Sequence, residues 1–459
     1  MPTMPTASLT PKKTMSPTNK TSIDRVAVIG LGFVGLPLGA TLADVGFEVT
    51  GIDNSPEVIK TLQGGKAHFV ENGLQTLLDG HLNKRLNITS ELEPGAHDVY
   101  IIAVGTPVDP ETHDPILDYL KSGSHTAGKA IKKDSLVIIR STVPVGSTRE
   151  IIVPILEEES GLKAEKDFQV VFAPERLIAG RALKELRELP QIIGGIDRES
   201  YERAARLFEK MTATIIDAGS LEAAEMAKII DNTYRDLIFS YANQMAMLCE
   251  KIGLDMTKLV QVVNPGYLRN HIPLPSPGVG GTCLTKDPYI LLNVGKKYGY
   301  IPELARVARQ VNESIPVHVA EKAVRLLKKA KKDPANCTVF ILGFAFKGKP
   351  ETSDTRDSPT NILINELAKT GCKLIGYDPA VPAEEIEALG VTATGIEEGF
   401  ENADAAIIMT NHTEFEALNI FQLLPKMKSP GVFIDGWHIF NPDDLRAMPN
   451  ILYGGVGND

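Results

Sequence analysis

Arg25-Val26-Ala27-Val28-Ile29, followed at once by Gly30-Leu31-Gly32-Phe33-Val34-Gly35, decides the fold of this chain. The first five residues read as a short buried strand, and the glycine-spaced turn opens a helical stretch ending near Gly46. The next strand, Glu48 to Ile52, ends at Asp53. Strand, glycine turn, helix and acid-ended strand form the start of a dinucleotide-binding unit. Gly30 supplies the tight turn, Gly32 lets the backbone approach a pyrophosphate, and Gly35 lets the helix pack on the strand. Phe33 and Val34 complete the turn that faces the cofactor, and the helix N-terminus adds amides and partial positive charge. A carboxylate at Asp53 accepts hydrogen bonds from both ribose hydroxyls and repels a 2′-phosphate, which favours NAD over NADP.

Two further strands are expected at Asp98 to Val104 and Leu136 to Ile139, each ending in a polar turn. Ligands of open α/β sheets bind beyond the carboxyl ends of the strands, so Thr106 and Thr142 in those turns are candidate nicotinamide-side contacts, or plain turn residues. The chain has 459 residues, enough for two or three domains. Lys and Arg total 48 against 58 Asp and Glu, with no basic block, which argues against a nucleic-acid partner. Residues 1–22 are rich in Pro, Thr, Ser and Lys without an apolar core; they read as a disordered tail, neither secretory signal nor membrane anchor. Cys249, Cys283, Cys337 and Cys372 are widely spaced, which argues against a metal site or a disulfide framework and fits a cytoplasmic setting.

Between Gly219 and Gly253 there is neither proline nor glycine, and Ser220 is a fitting N-cap, so one long helix is expected there. Such a helix joins two domains and is a candidate dimer interface. Glu225, Lys228, Asn232 and Arg235 fall on one face of it, as a functional row or a solvated face, with Ile238, Tyr241, Met245 and Leu248 packing elsewhere. The loop from Asn264 to Pro288 is dense in proline and glycine, which favours exposed amides able to cradle a diphosphate, with Arg269 as a phosphate partner. Within it, Gly278-Val279-Gly280-Gly281-Thr282-Cys283-Leu284-Thr285-Lys286-Asp287-Pro288 sets a lone thiol beside a lysine and an aspartate. A free cysteine is usually buried and inert. A thiol in a helix-opening, glycine-rich turn of an NAD protein instead suggests oxidation through a covalent sulfur adduct.

Short apolar runs at Thr338 to Leu342, Lys373 to Tyr377, Ala405 to Met409 and Val432 to Asp435 make the C-terminal part α/β again, without a second glycine fingerprint. Lys347 follows the first of these strands, where it could meet a phosphate or sugar. Asp378 ends the second, as a ribose-binding acid or a simple turn residue.

These features together resemble the nucleotide-sugar 6-dehydrogenase family, which includes UDP-glucose, UDP-N-acetylhexosamine and GDP-mannose dehydrogenases. The likeness runs from Arg25 onward through GLGFVG, VGTP at Val104, STVPVGST at Ser141, APERLIAG at Ala173, AEMAKIIDNTYRD at Ala224, GVGGTCLTKDP at Gly278 and GFAFKGKPETSDTRDSP at Gly343. It implies an α/β fold of two Rossmann-like domains joined by a long central helix and a helical dimerisation domain. The expected division is 23–217 for NAD, 218–325 for the central helices and thiol loop, and 326–459 for the nucleotide of a UDP-sugar. A homodimer or higher homo-oligomer is implied, with no membrane partner and no metal.

The resemblance also implies roles. Cys283 attacks an aldehyde at C6, and Lys228, Asn232 and Asp287 hold a water and the C6 oxygen. Glu175 activates the hydrolytic water. Arg176, Leu177, Arg235, Arg269, Gly280 and Lys347 line the substrate, and Arg356 reaches the cofactor. Pro-Glu-Arg at 174–176, Asn-Thr-Tyr-Arg-Asp at 232–236 and Pro-Gly-Val-Gly-Gly at 277–281 resemble the UDP-N-acetylhexosamine branch, with UDP-N-acetyl-D-mannosamine favoured. Thr282, where that branch commonly has histidine, and Lys286-Asp287 lean toward UDP-glucose enzymes, while Asp435-Gly436-Trp437 departs from their Asp-Gly-Arg. A one-step β-hydroxyacid-type dehydrogenase would share the NAD domain and the helix lysine without needing a thiol. A non-enzymatic NAD sensor is the other class.

Overall fold

The computed structural model describes residues 25–458; the tail expected over 1–22 lies outside the described residues. An eight-stranded sheet comprises β1 (Arg25–Ile29), β2 (Glu48–Ile52), β3 (Leu86–Thr89), β4 (Val99–Ile102), β5 (Leu136–Ile139), β6 (Gln169–Phe172), β7 (Gln191–Gly195) and β8 (Ile215–Asp217). Their order is β3-β2-β1-β4-β5-β6-β7-β8. All neighbours are parallel except β6 and β7. Strands β4, β5 and β6 are buried throughout because helices cover both faces. The chain reverses its direction of sheet growth between β1 and β4, which opens the ligand crevice at the end of β1.

The second sheet holds β9 (Thr338–Leu342), β10 (Lys373–Tyr377), β11 (Thr392–Ala393), β12 (Ala405–Ile408), β13 (Gly431–Asp435) and β14 (Ile451–Gly455). Its order, β11-β10-β9-β12-β13-β14, repeats the doubly wound plan with every pair parallel. The α/β class and the paired Rossmann-like sheets thus agree with expectation. One of the two cores flanking this sheet runs on into the central region through Ala246, Cys249 and Met256, so the central helices and the second sheet share buried apolar surface.

The long helix runs Leu221–Ile252, where the sequence placed it. The Ser220 side chain accepts the Ala223 N–H, and Gly253 closes the C-terminus at φ 72. Its faces, however, are the reverse of a solvated polar row over a buried apolar one. Glu225 and Lys228 are 0% and 4% exposed, while Tyr234, Tyr241 and Leu248 are 62%, 51% and 49% exposed. The polar side chains Glu225, Lys228 and Asn232 go inward because each meets a partner from another element there, while the apolar outer face stays exposed among the described residues. Two more helices, Thr282–Lys297 carrying the thiol and Glu303–Lys329 behind it, pack on the long helix. Among the described residues, no helix is long and apolar enough to cross a membrane.

Candidate active site

The end of β1 has the features a dinucleotide needs. A cleft of about 320 Å³ is lined by Gly30, Gly32, Asp53, Val104 and Gly105 among others. A Cβ on Gly32 would meet only open space, whereas one on Gly35 would collide with the Gly30 carbonyl, so the two glycines do the different jobs expected of them. Asp53 Oδ2 accepts the Leu31 N–H at 2.8 Å and fixes the turn, and its carboxylate lines the cleft where a ribose would lie. The residues present fit NAD. Thr106 is buried and donates to the Thr142 carbonyl at 2.6 Å, tying together the turns after β4 and β5. Arg356 comes from the C-terminal part to lie over the Phe33 ring at 4.9 Å, paired with Asp354 at 2.7 Å.

The thiol sits at the start of the Thr282–Lys297 helix, so the last part of the expected loop is helical, and Cys283 and Asp287 share a side of it. Asp287 is fully buried, with Oδ2 accepting from Asn232 Nδ2 and Oδ1 from Lys286 Nζ, each at 2.6 Å. On the long helix one turn before Asn232, Lys228 Nζ donates to the Glu175 backbone carbonyl and lies 3.9 Å from Glu175 Oε2. Burial works to lower the Lys228 ammonium, but Glu175, Cys283 and Asp287 outweigh it and hold the group above its ordinary value.

Cys283 is open to solvent, yet dense protein around it pushes the thiol up; Lys228 and Lys286 pull it down, and Asp287 and Glu175 raise it further. The net shift is upward. Because the thiolate is the reactive form, iodoacetamide should alkylate Cys283 at a rate still climbing above about pH 9. A plateau near neutrality in the pH–rate profile, with Cys283→Ala as the blank, would contradict this.

Residues 173–181 form a loop held from every side. Glu71 accepts the Gly180 and Ala182 N–H groups at 2.6 and 2.9 Å, Asn72 donates to the Gly180 carbonyl at 2.9 Å, and Lys347 donates to the Ala179 carbonyl at 2.8 Å. Lys347 thereby joins the loop after β9 to the first half of the molecule. Burial lowers its ammonium to about 8, partly offset by Glu71 and Glu185, while the nearby Arg235 depresses it further.

The glycines before the thiol serve packing more than open amides. Gly281 has φ +85, and a Cβ there would lie 2.7 Å from the Phe346 ring; on Gly280 it would lie 2.5 Å from Pro359 Cδ. Gly281 also donates to the Asp357 carbonyl at 3.2 Å. The thiol turn is thus clasped against the C-terminal segment that carries Phe346, Lys347 and Arg356.

Four expected site residues fall elsewhere. The Arg176 guanidinium donates to the Pro190 carbonyl at 2.8 Å, in a small crevice with Arg140 and Gln191; Leu177 lines the same crevice, its N–H held by the Glu175 carboxylate. Arg269 lies exposed on its loop beside Tyr267, uncovered among the described residues. Asp378 is no ribose ligand: it is buried and accepts the Phe344, Ala345, Ala380 and Val381 N–H groups, and it meets His412 at 3.2 Å. A buried network of Asp236, Arg309 and Asn312 behind the thiol helix was not anticipated. Its only sequence signal was Pro288, which removes the N–H due to the Leu284 carbonyl; Arg309 Nη1 supplies that bond at 3.0 Å.

Residues 24–212 match the NAD binding domain of the UDP-glucose/GDP-mannose dehydrogenase family, 222–314 its central domain and 340–442 its UDP binding domain. UDP-N-acetyl-D-mannosamine dehydrogenase of Pyrococcus horikoshii is 34% identical over 94% of this chain and 99% of its own. Its solved structure superposes with a TM-score of 0.86. The enzyme of that name from Methanococcus vannielii is 32% identical over 92% of this chain and 94% of its own. The crystal structure of an NDP-N-acetyl-D-galactosaminuronic acid dehydrogenase from Methanosarcina mazei is 31% identical over 96% of each chain, with a TM-score of 0.81. With the dinucleotide cleft, the thiol turn and the clasping second sheet, these matches mean that the chain belongs to the UDP-glucose/GDP-mannose dehydrogenase family and is an NAD-dependent UDP-sugar dehydrogenase.

Proposed function

We propose that this enzyme oxidises C6 of a UDP-N-acetylhexosamine, UDP-N-acetyl-D-mannosamine foremost, from alcohol to carboxylate in two successive oxidations, with Cys283 as the nucleophile. The observation that carries it is the convergence of Lys228, Asp287 and Glu175 on the Cys283 thiol, each close enough to act on its charge. NAD, when bound, accepts a hydride in each oxidation. Lys228 stabilises the C6 oxygen while the hydroxyl proton passes to a neighbouring water and the hydride leaves C6 for NAD. Asp287, oriented by Asn232 and Lys286, holds the proton-bearing water beside it. The Cys283 sulfur then bonds to the aldehyde carbon while the thiol proton passes to the carbonyl oxygen, giving a thiohemiacetal. Loss of the second hydride and the hydroxyl proton leaves a thioester. Water activated by Glu175 adds to it, the C–S bond breaks, and the acid departs with the thiol restored.

On this reading Lys347, Arg235 and Gly280 face the nucleotide-sugar, and a diphosphate arriving at Lys347 restores its full charge. The domain division 23–217, 218–325 and 326–459 and a homodimer complete the proposal. The dimer is supported by the exposed Tyr234, Tyr241 and Leu248 face, which continues into Val262, Tyr267 and Leu268 and would enclose Arg269; a monomer in sedimentation at micromolar concentration would remove it. UDP-glucose is the second reading, favoured by Thr282 and Lys286-Asp287.

The test is NADH yield with limiting UDP-N-acetylmannosamine, UDP-N-acetylglucosamine and UDP-glucose in parallel at excess NAD. Two equivalents of NADH from the mannosamine derivative are expected. One equivalent would sink the acid-forming mechanism, and two from UDP-glucose alone would replace the substrate.

A further inference from the structure

Glu225 belongs to the polar row of the long helix, yet the mechanism above gives it no task. It is fully buried, and its two carboxylate oxygens each accept a backbone N–H from the segment after β5: Oε2 from Gly146 at 2.6 Å and Oε1 from Thr148 at 2.9 Å. Those N–H groups open the wide helical turn Thr148–Ile152, whose preceding residue, Ser147, provides no side-chain cap. A helix start leaves such donors unsatisfied, and a carboxylate is the best acceptor for them. Here it comes from a remote element.

The strap so held, Ser141 to Gly146, is tied to Val104, which lines the cofactor cleft. The Ser141 hydroxyl donates to the Val104 carbonyl at 2.7 Å and accepts the Val104 N–H at 2.9 Å, and the Thr142 carbonyl accepts from Thr106. Glu225 stands one helical turn before Lys228 and two before Asn232 on the same face. One rigid helix therefore fixes three things in register: the strap through Glu225, the Glu175 loop through Lys228, and the thiol helix through Asn232 and Asp287.

We propose that Glu225 is a positioning residue for the cofactor: it sets the height of the Ser141–Gly146 strap, and with it Thr106 and Thr142, against Lys228. The proposal rests on the reading of the cleft at β1 as the NAD site. Losing one charge-assisted bond to the strap should weaken NAD binding by about tenfold or more.

Glu225→Gln keeps one acceptor oxygen and sets an amide against the second N–H. Gly146→Ala disturbs the joint from the other side, since Gly146 has φ +93 and an added Cβ would lie 2.9 Å from Glu150 Oε1. Isothermal titration of the full-length protein with NAD, and separately with UDP, should show the NAD Kd raised about tenfold in both variants and the UDP Kd within about twofold of wild type. Turnover of a substrate deuterated at C6 should show a larger isotope effect than wild type, because hydride transfer from a misplaced pair becomes slower. Unchanged NAD affinity, or equal losses for NAD and UDP, would overturn the proposal. If Glu225→Gln does not fold, Gly146→Ala decides. A wild type that oxidises no UDP-sugar would defeat the functional reading alone, because the NAD titration still tests the strap.

Discussion

Cys283→Ser is expected to fold, to bind NAD and UDP with wild-type affinity, and to lose uronate formation by on the order of 10³-fold or more. The substitution exchanges one sulfur for an oxygen at an exposed position, so packing is barely touched. Lys228, Asp287 and Glu175 keep their partners, which are Glu175, Asn232 with Lys286, and Leu177 respectively. The first oxidation needs only those groups, so rapid mixing should give an early release of at most one NADH per site, followed by stalling. No hydroxyl at this place can replace the sulfur, because a thioester is the intermediate that water cleaves, and the serine proton is far harder to remove beside two acids. Full turnover to acid at the wild-type rate in this variant would overturn the role of the thiol. Steady two-equivalent yields at reduced rate would mean that water adds directly to the aldehyde.

The elements that carry chemistry were legible where local sequence alone determines geometry. The β1 turn could be read because three glycines and a distant acid each answer one steric or electrostatic demand, and the long helix because Ser220 and Gly253 bound it. Its orientation was not legible. Periodicity puts Glu225, Lys228 and Asn232 on one side, but which side is buried depends on whether other elements bring partners for them, here Gly146, Glu175 and Asp287. Arg176 lies beside Glu175 in the chain yet turns to Pro190, since adjacency fixes no side-chain direction. Strands β7 and β14 escaped because both end in paired glycines, which weaken the strand signal although parallel neighbours hold them. The C-terminal clasp on Gly280 and Gly281 likewise needed the fold. Sequence shows that these positions lack side chains, not that Phe346 and Pro359 fill the space.

Asp236→Ala should cost about 3–5 kcal/mol of stability, the largest loss expected of any single truncation behind the thiol helix. Asp236 and Arg309 are both buried, and Asp236 Oδ1 accepts from Arg309 Nη1 at 2.6 Å and from Asn312 Nδ2 at 2.8 Å. Removing the carboxylate strands a guanidinium that no solvent reaches, while Arg309 is still required by the Leu284 carbonyl that Pro288 leaves open. Asn312 loses an acceptor too, and through Asn243 it is linked to the Ser276 N–H on the approach to the thiol turn. The damage therefore reaches the catalytic helix as well as the fold. Urea unfolding followed by circular dichroism should show an earlier midpoint for Asp236→Ala and a much smaller shift for Asp236→Asn, which retains an acceptor oxygen. The pair Asp236→Ala with Arg309→Met should recover part of the loss, because the stranded charge is gone, yet remain less active, because the Leu284 carbonyl at the start of the thiol helix has lost its donor. A single-variant loss under about 1 kcal/mol would show instead that water or a shifted Glu313, 3.4 Å from Arg309 Nε, takes over the charge.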